Sequence, residues 1–420
     1  MLVQFTVGNF LSFNGQRTIS LKAKGIAELK ENVSSFAPEK LLRSMVIYGA
    51  NSSGKSNLIK ALERMRDVVM NSVRLNDADE LDYTPFLLST ETEGKPTFFE
   101  IIFWKDGSRY RYGFQYSLTQ IETEWLFAGK SDKSEQALFI RTQEGIGVDK
   151  KFKEGAGMES KTNDNRLFVS LVAQLGGNIS KKILDFFSNY NAVSGIVHKA
   201  YIGFTLRMLH KQSAGFKESM ELFERLQLGF QKIEVHELDI NNTEINANNE
   251  ALKQKLIKEL TNKTALVLGT VHTRFNKKGQ KVGSVNFDAR NMESDGTNKI
   301  IDLSGPIFDT LLNGKLLVID ELDAKLHPLI TMSIVELFNS SESNPNNAQL
   351  IFATHDTNLL SVDLFRRDQI WFTEKDELEQ TDLYALNDIN LPDGSKVRND
   401  SNLEKNYIRG RYGAIPFITN

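Results

Sequence analysis

The sequence predicts an α/β fold in which a mixed β-sheet is accompanied by an antiparallel β-subdomain and a helical insertion. Three observations lead to this prediction. A glycine-rich loop at 49–56 joins an apolar run to a helix-forming stretch, and residues 97–128 alternate as antiparallel strands do. The last third of the chain alternates buried strands with helices, which is typical of a parallel sheet.

The N-terminal part is expected to consist mainly of strands. Apolar or alternating runs predict strands at 2–7, 17–23, 45–48, three within 97–128, and 136–141. Asp106-Gly107 separates the first two strands of the 97–128 group and is a dipeptide typical of hairpin turns. Residues 145–165 are charged and poor in apolar side chains, so we expect a mobile loop there.

The middle of the chain has the periodicity of helices. Apolar residues recur at helical spacing in 179–190, 200–230 and 248–262. Strand character resumes at 264–289 and includes a hairpin around 276–279. The lysines at this hairpin tip are expected to be solvated, because long cationic side chains at a turn usually point into water.

The alternating pattern at the end of the chain completes the domain assignment. Buried strands are predicted at 315–319, 349–353 and 369–373. The predicted division is an N-terminal lobe with the glycine-rich loop and the antiparallel strands (1–145), a mainly helical insertion (146–262) and a C-terminal lobe (263–420).

The composition restricts the class of protein. The chain has 420 residues, of which 51 are basic and 54 acidic, and its net charge of -3 does not by itself indicate a polyanionic partner. It contains no cysteine, which excludes disulfides and thiolate metal sites. Neither a signal peptide nor an apolar run of about 18 residues is found. We therefore expect a cytoplasmic protein without a membrane segment.

The glycine-rich loop has the sequence Gly49-Ala50-Asn51-Ser52-Ser53-Gly54-Lys55-Ser56, which fits Gly-x₄-Gly-Lys-Ser. Backbone amides of such a loop and of the helix start cradle phosphate oxygens, while the lysine reaches the β- and γ-phosphates. The alternative is a chance match in a glycine turn, but the strand before it and the helix after it argue against that. The residues expected to contact the triphosphate are Gly49, Asn51, Ser52, Ser53, Gly54, Lys55, Ser56 and Asn57.

Two later strands end in residues suited to phosphate chemistry. Asp320 and Glu321 follow an apolar strand, and His355 follows the next strand along the chain. Carboxyl ends of parallel strands form the edge at which ligands bind. We expect Asp320, together with the Ser56 hydroxyl, to hold Mg²⁺, Glu321 to polarise the attacking water, and His355 to contact the γ-phosphate. A strand end exposed to solvent and a capping histidine are the alternatives.

The order of these motifs, with a long insertion between the first two, resembles the ABC-type ATPase heads of the SMC and RecF kind. The resemblance implies a P-loop NTPase that binds ATP between two heads, so a homodimer or higher homo-oligomer is expected. A Ser-x-Gly signature of the opposite head would face the nucleotide, and Ser294 and Gly296 fit this role. The alternative for Ser294 is an ordinary helix N-cap.

Two departures from the ABC pattern are visible. An ABC head also carries a metal-contacting glutamine, for which Gln174 is our choice; Gln120 is a second candidate, and a solvent-facing glutamine is an equal alternative. The turn at which ABC heads usually carry an aspartate is Leu326-His327 here.

A closer resemblance extends over nearly the whole chain. It rests on Asn9-Phe10-Leu11-Ser12-Phe13, Tyr48 with the glycine-rich loop, Asp320-Glu321-Leu322-Asp323-Ala324-Lys325-Leu326-His327-Pro328, Thr354-His355-Asp356-Thr357 and Arg409-Gly410-Arg411-Tyr412-Gly413-Ala414-Ile415-Pro416. Together these segments resemble the AAA-family ATP-binding proteins of abortive-infection systems, of the RloA-like and AriA-like kinds. The resemblance implies an anti-phage ATPase that uses ATP and Mg²⁺ and acts beside a separately encoded effector, often a Toprim-like nuclease.

One alternative function is a RecF-like ATPase that acts in DNA repair or DNA binding without an effector. It requires a basic surface and an affinity for nucleic acid that falls with salt concentration. The near-neutral net charge argues mildly against it.

Overall fold

The computed structural model describes residues 1–36, 39–196, 199–239, 264–391, 394–398 and 400–416. The chain forms two compact units. The first contains Met1–Ile196, Asn313–Ala324 and Thr331–Asn420, and the second contains Val197–Leu312 and Lys325–Ile330. The boundaries drawn from the sequence after residues 145 and 262 each fall inside one of these units, and the division into three segments stays a prediction.

The strands of the first unit precede and follow the second unit in the chain. They are β1 (Leu2–Gly8), β2 (Arg17–Ser20), β3 (Val33–Phe36), β4 (Glu39–Leu42), β5 (Ser44–Gly49), β6 (Thr97–Lys105), β7 (Ser108–Tyr116), β8 (Ile121–Gly129), β9 (Gln136–Thr142), β10 (Gly145–Val148), β11 (Tyr190–Ser194), β15 (Leu316–Asp320), β16 (Gln349–Ala353), β17 (Ile370–Lys375) and β18 (Thr381–Ala385). Those of the second unit are β12 (Lys232–Asp239), β13 (Thr264–Phe275) and β14 (Lys281–Asp288).

The helices are fewer than the strands in the described residues. They are α1 (Lys55–Asn71), α2 (Phe168–Gln174), α3 (Asn178–Ser188), α4 (Lys199–Lys211), α5 (Phe216–Arg225), α6 (Ala289–Met292), α7 (Asp295–Asn313), α8 (Pro328–Asn339) and α9 (Leu403–Ile408). None of the helices in the described part of the chain has the length and apolar character needed to cross a membrane.

A six-stranded sheet forms the centre of the first unit, in the order β11-β15-β16-β5-β17-β18. Its first five strands pair in parallel, and β18 is antiparallel to β17. The strands β5 and β16 are buried throughout, as expected for parallel strands covered on both faces. Since parallel strands end at one edge, the turns after β5, β15 and β16 meet there.

The second sheet of the first unit has seven strands in the order β10-β9-β8-β7-β6-β1-β2, and its pairs are antiparallel. A single apolar cluster includes residues from this sheet, from α1 and from the parallel strands, among them Phe99, Leu62 and Val318. The predicted strands within 97–128 and at 136–141 are confirmed. The expected loop at 145–165 is wrong at its start, because Ile146 and Val148 alternate and pack against the cluster as part of β10.

The second unit combines helices with a three-stranded sheet in the order β12-β13-β14. Its core contains Leu206, Phe223, Leu268 and Ile301. The helix predicted at 200–230 is divided into α4 and α5, because Gly215 adopts a left-handed conformation with φ 96° between them. The helix predicted at 248–262 lies outside the described residues.

The fold class predicted from the sequence is confirmed. A glycine-rich loop follows β5 in a mainly parallel sheet, an antiparallel β-subdomain precedes the later motifs, and a partly helical unit is inserted between the first and second motifs. This is an α/β fold of the P-loop NTPase group, of the ABC and SMC-head type.

Candidate functional site

The glycine-rich loop connects the carboxyl end of β5 with the start of α1. Gly54 is the residue before the helix and has φ 113°, a conformation that side chains disfavour. A Cβ atom at this position would also overlap the side chain of Thr381. Ser52, at the crest of the loop, has a left-handed φ of 64°. The loop therefore depends on glycine at position 54 and holds one non-glycine residue in a conformation of higher energy.

Neighbouring side chains fix the loop to the surrounding elements. The hydroxyl groups of Ser53 and Thr373 are 2.5 Å apart. The Thr381 hydroxyl lies within hydrogen-bond distance of Ser53 O, at 2.9 Å, and of Ser12 Oγ, at 2.7 Å. Asn57 donates to the same Ser12 hydroxyl at 2.8 Å. Asn51 and Ser52 are exposed at the crest.

Lys55 is folded back into the loop. Its ammonium group donates to Gly49 O at 2.8 Å and to Ala50 O at 2.9 Å, and only 5% of the residue is exposed. Burial lowers the pKa of Lys55 to about 8, although the carboxylates of Asp320, Glu321 and Asp323 act in the opposite direction. A buried cation whose hydrogen bonds go only to carbonyl oxygens gains strongly from a phosphate anion.

The acidic strand end and the histidine lie at the same edge of the sheet. Leu322 N, after β15, donates to Ala353 O at the end of β16 at 3.2 Å. Thr354 N, after β16, donates to Ile47 O near the end of β5 at 3.2 Å. These hydrogen bonds connect the carboxyl ends of the three strands. Partial burial and the charge of Lys55 lower the pKa of His355, whereas Asp323, Glu321 and Asp320 oppose this change. The structure thus brings Lys55, Asp320, Glu321 and His355 together.

Two further features of this edge were missed from the sequence. Asp323 accepts a hydrogen bond from His355 N at 3.4 Å, which connects the two turns. Glu321 has a left-handed φ of 55°, and such strained residues cluster at functional sites. Asp323 lies three residues after Asp320 in the sequence, and this spacing is the signal that could identify it.

The oxygen donors at this edge fit a divalent cation bound beside phosphate. Asp320 Oδ1 and Asp323 Oδ1 are buried without a hydrogen-bond partner. Ser56 lies in the first turn of α1. No group of three or more His, Asp or Glu side chains in the described ranges is placed to hold a metal. The carboxylates of Asp320 and Asp323 are nevertheless suited to Mg²⁺, which usually takes one or two carboxylates and completes its shell with phosphate oxygens and water.

The structure does not bring Gln174 to this edge, and the assignment of Gln174 as a metal ligand is corrected. Gln174 is the last residue of α2, whose Ser170 hydroxyl donates to Val69 O near the end of α1. At 1.5 Å per residue, Val69 is about 20 Å along the helix axis from Ser56. Gln120 lies in the turn between β7 and β8 and accepts from Ser117 N.

The strand β11 occupies the place beside Asp320 instead. Ser194 pairs with Asp320 in the parallel register, and Gly195 N donates to Asp320 O at 2.7 Å. A Cβ atom at Gly195 would overlap the Glu321 carbonyl. Sequence reasoning missed this strand because Tyr190–Ser194 is only five residues long and follows directly on a helical pattern.

The signature candidates lie in the second unit. The hydroxyl of Ser294 accepts a hydrogen bond from Thr297 N at 3.1 Å, as an N-cap residue does at the start of α7. Asp295 pairs with Lys325 at 2.8 Å, and Gly296 follows in the first turn. Ser294 is exposed. The capping contact is observed, while a contact with nucleotide stays a prediction.

Fold and site together define a P-loop nucleotide-binding protein, an ATP-binding protein of the ABC-like ATPase class. Residues 44–361 match the protein family described as "AAA domain, putative AbiEii toxin, Type IV TA system", and the chain belongs to this family. No curated protein matches the chain.

Several solved structures are similar at low identity. One is described as the SmcHead bound to the C-winged helix domain of ScpA, with 13% identity, 92% of this chain and 98% of that chain covered, and a TM-score of 0.45. The SMC head domain from Thermotoga maritima has 13% identity, coverage of 91% and 98%, and a TM-score of 0.40. The recombination mediator protein RecF-ATPrS has 14% identity, coverage of 92% and 98%, and a TM-score of 0.30.

Proposed function

We propose that this protein binds and hydrolyses ATP in the presence of Mg²⁺, and that ATP drives the association of two copies. The association would in turn regulate a separately encoded effector in anti-phage defence. The observation that carries the proposal is the grouping of Lys55, Asp320, Glu321 and His355 at one edge of the parallel sheet, directly beside the glycine-rich loop.

The roles of the side chains follow from their chemistry. Phosphoryl transfer needs positioning and charge stabilisation rather than a covalent intermediate. Lys55 leaves the carbonyl oxygens of Gly49 and Ala50 and pairs with the β- and γ-phosphates, Glu321 orients the attacking water, and His355 contacts the γ-phosphate. Asp320 and Ser56 would hold Mg²⁺, and the bound ion would offset negative charge on the phosphates.

The dimer hypothesis rests on the chemistry of the α7 start. Ser294 is exposed and caps a helix of 19 residues, whose N-terminus carries partial positive charge. A γ-phosphate bound to a second copy is a suitable partner for such a helix end. Each copy would then supply Ser294 and Gly296 to the nucleotide held by the other.

The effector hypothesis has separate support. It comes from the resemblance to RloA-like and AriA-like proteins and from the family description, which names a type IV toxin–antitoxin system. Co-expression with the product of a neighbouring reading frame, followed by affinity purification, tests it. We expect the partner to co-purify with the wild type and to dissociate from Lys55→Ala. Equal recovery with both forms would contradict regulation by ATP.

Glu321→Gln tests the central proposal. The variant keeps the shape of the side chain and removes the charge that orients water, so ATP is bound but not hydrolysed. We expect a dimer by light scattering after gel filtration with ATP and Mg²⁺, and a monomer with ADP. Glu342→Gln, at an exposed position away from the motifs, is the matched control and should behave as wild type.

A second variant separates association from nucleotide binding. Ser294→Arg in the Glu321→Gln background should bind ATP normally in equilibrium dialysis but remain monomeric. A Glu321→Gln protein that binds ATP and stays monomeric would overturn the dimer hypothesis. Failure to bind ATP at all would overturn the assignment of the site.

A further inference from the structure

The strands β13 and β14 extend beyond the third strand of their sheet. The strand β12 pairs with β13 from Thr264 to Val271. Beyond that point the described pairing is between β13 and β14 alone, from His272 with Val285 to Phe275 with Lys281. We call residues 272–285 the distal ribbon.

The distal ribbon has little apolar core of its own. Every residue from Arg274 to Asn286 is exposed, and the apolar side chains of Phe275 and Val282 are each 56% exposed. An isolated two-stranded hairpin is only marginally stable in water. The distal ribbon is therefore held together by cross-strand pairing rather than by apolar packing, and both of its faces are open to solvent.

The charge of the distal ribbon is of one sign. Its cations are Arg274, Lys277, Lys278 and Lys281, and no Asp or Glu occurs between residues 264 and 287. This contrasts with the net charge of -3 of the whole chain. The ribbon is therefore locally basic, although the net charge of the whole chain is slightly negative.

The four cations make no side-chain ion pair with the residues that the structure describes. Cations at the base of the sheet, in contrast, do form ion pairs. Arg290 there pairs with Asp302 at 2.7 Å. The acids closest in sequence are also engaged: Asp288 accepts from Arg290 N at 3.0 Å, and Glu293 is 2.7 Å from His272 Nε2. Among the residues that the structure describes, no acid therefore offsets the positive charge at the end of the ribbon.

The turn holds two of the cations in a defined position. Asn276 Oδ1 accepts from Lys278 N at 2.9 Å and from Gln280 N at 3.0 Å. Gly279 provides the left-handed residue of the turn with φ 75°. An ordered turn loses less conformational entropy on binding than a free loop does. Lys277 and Lys278 are therefore displayed by a preorganised tip.

We propose that the distal ribbon binds the phosphate backbone of double-stranded DNA. Paired strands are about 4.8 Å apart, and the major groove of about 12 Å admits a two-stranded ribbon between its two phosphate chains. Cations on both strands and at the tip can then reach phosphates on either side. An acidic protein offers the same negative charge but has no groove of this width. The duplex therefore fits the shape of the ribbon better.

This inference goes beyond the proposed function, since the ribbon belongs to the second unit and contains none of the residues assigned to ATP. Contacts with phosphate give affinity that is independent of sequence and falls with salt concentration. The ribbon would add a nucleic-acid ligand to an ATP-dependent protein.

The test uses the full chain and a fluorescein-labelled duplex DNA of about 24 base pairs in fluorescence anisotropy, between about 50 and 200 mM KCl. The ribbon variant is Arg274→Gln/Lys277→Gln/Lys278→Gln/Lys281→Gln. We expect the slope of log K against log salt to decrease in magnitude by up to about 3.6, at about 0.9 for each phosphate that the variant no longer neutralises. ATPase activity of the variant should be unchanged, which separates this result from failure of the proposed function.

The matched control changes the same net charge elsewhere. Lys60, Lys133, Lys150 and Lys181 are exposed and lie outside the ribbon. Their replacement by Gln should leave duplex binding within about twofold of wild type, since distant exposed charges are screened. Equal loss in the control and ribbon variants, or no duplex binding by the wild type at the lowest salt, overturns the proposal. Displacement of the duplex by an equal charge concentration of poly-L-glutamate would assign the ribbon to an acidic protein instead.

Discussion

His355 N donates a hydrogen bond to Asp323 Oδ2 at 3.4 Å, and this contact joins the turns that follow two neighbouring parallel strands. The second oxygen of Asp323 is buried without a partner. One carboxylate therefore orients the backbone of the histidine turn and presents an oxygen to the edge at which Lys55 and Asp320 also lie.

Asp323→Ala should slow ATP hydrolysis more than it weakens ATP binding. Without the acceptor, the turn that carries His355 can shift, and small displacements of a catalytic group cost up to about 100-fold in rate. We expect kcat to fall about 10- to 100-fold and the ATP dissociation constant to change less than about threefold. Steady-state phosphate release and equilibrium binding measure the two effects. Asp363→Ala, an exposed acid in the same unit, should leave kcat unchanged.

Gly195→Ala should displace the turn that carries Asp320 and Glu321, because Gly195 packs against this turn at the end of β11. A Cβ atom at this position would overlap Glu321 O, so either β11 or the strained turn at Glu321 must move. We expect hydrolysis to be lost while ATP still binds through the glycine-rich loop. Gly25→Ala is the matched control, because no atom lies within 4 Å of its added Cβ. Normal turnover in Gly195→Ala would show that this packing is not required.

The positions of Lys55, Asp320 and His355 could be predicted because each follows a buried strand, and parallel strands deliver their last residues to one edge. The residue that lies beside Asp320 in the sheet could not be predicted. It is Ser194 from a strand of five residues, which forms through pairing with β15 rather than through its own periodicity. Gln174 was assigned from local sequence, but its helix packs against the end of α1 remote from the loop.

The distal ribbon shows a similar limit. The hairpin at 276–279 is predictable from sequence, and so is its positive charge. Whether those cations face acids of another element depends on tertiary packing, which composition does not encode. The structure shows that β12, which carries Glu234 and Glu237, pairs with β13 only as far as Val271 and therefore does not pair with the distal ribbon.

The affinity for ATP should decrease above about pH 8. Burial lowers the pKa of Lys55 to about 8 in the nucleotide-free protein, and a triphosphate beside the ammonium group favours its charged form. Binding above that pH therefore takes up a proton, and the association constant falls by up to about tenfold per pH unit. Titration of a non-hydrolysable ATP analogue from about pH 7 to about pH 9.5 measures this slope.

The same pKa change has a consequence for stability. Between about pH 8 and the ordinary value of 10.5, the unfolded chain binds more protons at Lys55 than the folded chain does. The contribution of this residue to the free energy of unfolding therefore rises with pH through that window and is lost as the pH falls through 8. Lys55→Met should abolish ATP binding and raise the melting temperature at pH 7. A lower melting temperature would show that the hydrogen bonds from Lys55 to Gly49 O and Ala50 O contribute more to stability than burial of the ammonium group costs.

Arg366→Met should strongly destabilise the first unit. The side chains of Arg366 and Asp368 are each 2% exposed and form a hydrogen-bonded pair at 2.9 Å. Arg366 also donates to the carbonyl oxygens of Ile26 and Glu28 at 3.1 and 2.8 Å. Removing one partner of a buried pair costs about 3–5 kcal/mol, because the other charge is left uncompensated.

Thermal and urea unfolding measure the loss, and a double variant identifies its cause. Arg366→Met/Asp368→Leu removes both charges and should recover part of the stability lost in Arg366→Met, as replacement of a whole buried pair by apolar groups is often close to neutral. If the double variant were no more stable than the single one, the hydrogen bonds to the carbonyl groups, which both variants lack, would be the main contribution. Arg398→Met, at an exposed pair with Asp400, should change stability by less than about 1 kcal/mol.

Tyr407→Ala should release the C-terminal segment that borders the glycine-rich loop. The ring of Tyr407 stacks on Phe372 at 5.5 Å and lies 5.8 Å from Tyr48, and its hydroxyl donates to Ala414 O at 2.9 Å. Loss of a packed aromatic ring costs about 3 kcal/mol or more, whereas Tyr407→Phe removes only a hydrogen bond worth about 1 kcal/mol. Tyr407→Phe is therefore the matched control.

Limited trypsin digestion measures the release, since Arg409 and Arg411 are exposed cleavage sites in this segment. Cleavage there reports local opening, so it should be faster in Tyr407→Ala than in the wild type or Tyr407→Phe. Thr357 donates to Glu404 at 2.9 Å and thereby joins the turn that follows His355 to α9. If ATP engages His355, that turn and the attached segment become more rigid, and ATP should slow cleavage of the wild type but not of Glu404→Ala. Equal protection of both proteins would show that this hydrogen bond does not transmit the nucleotide state.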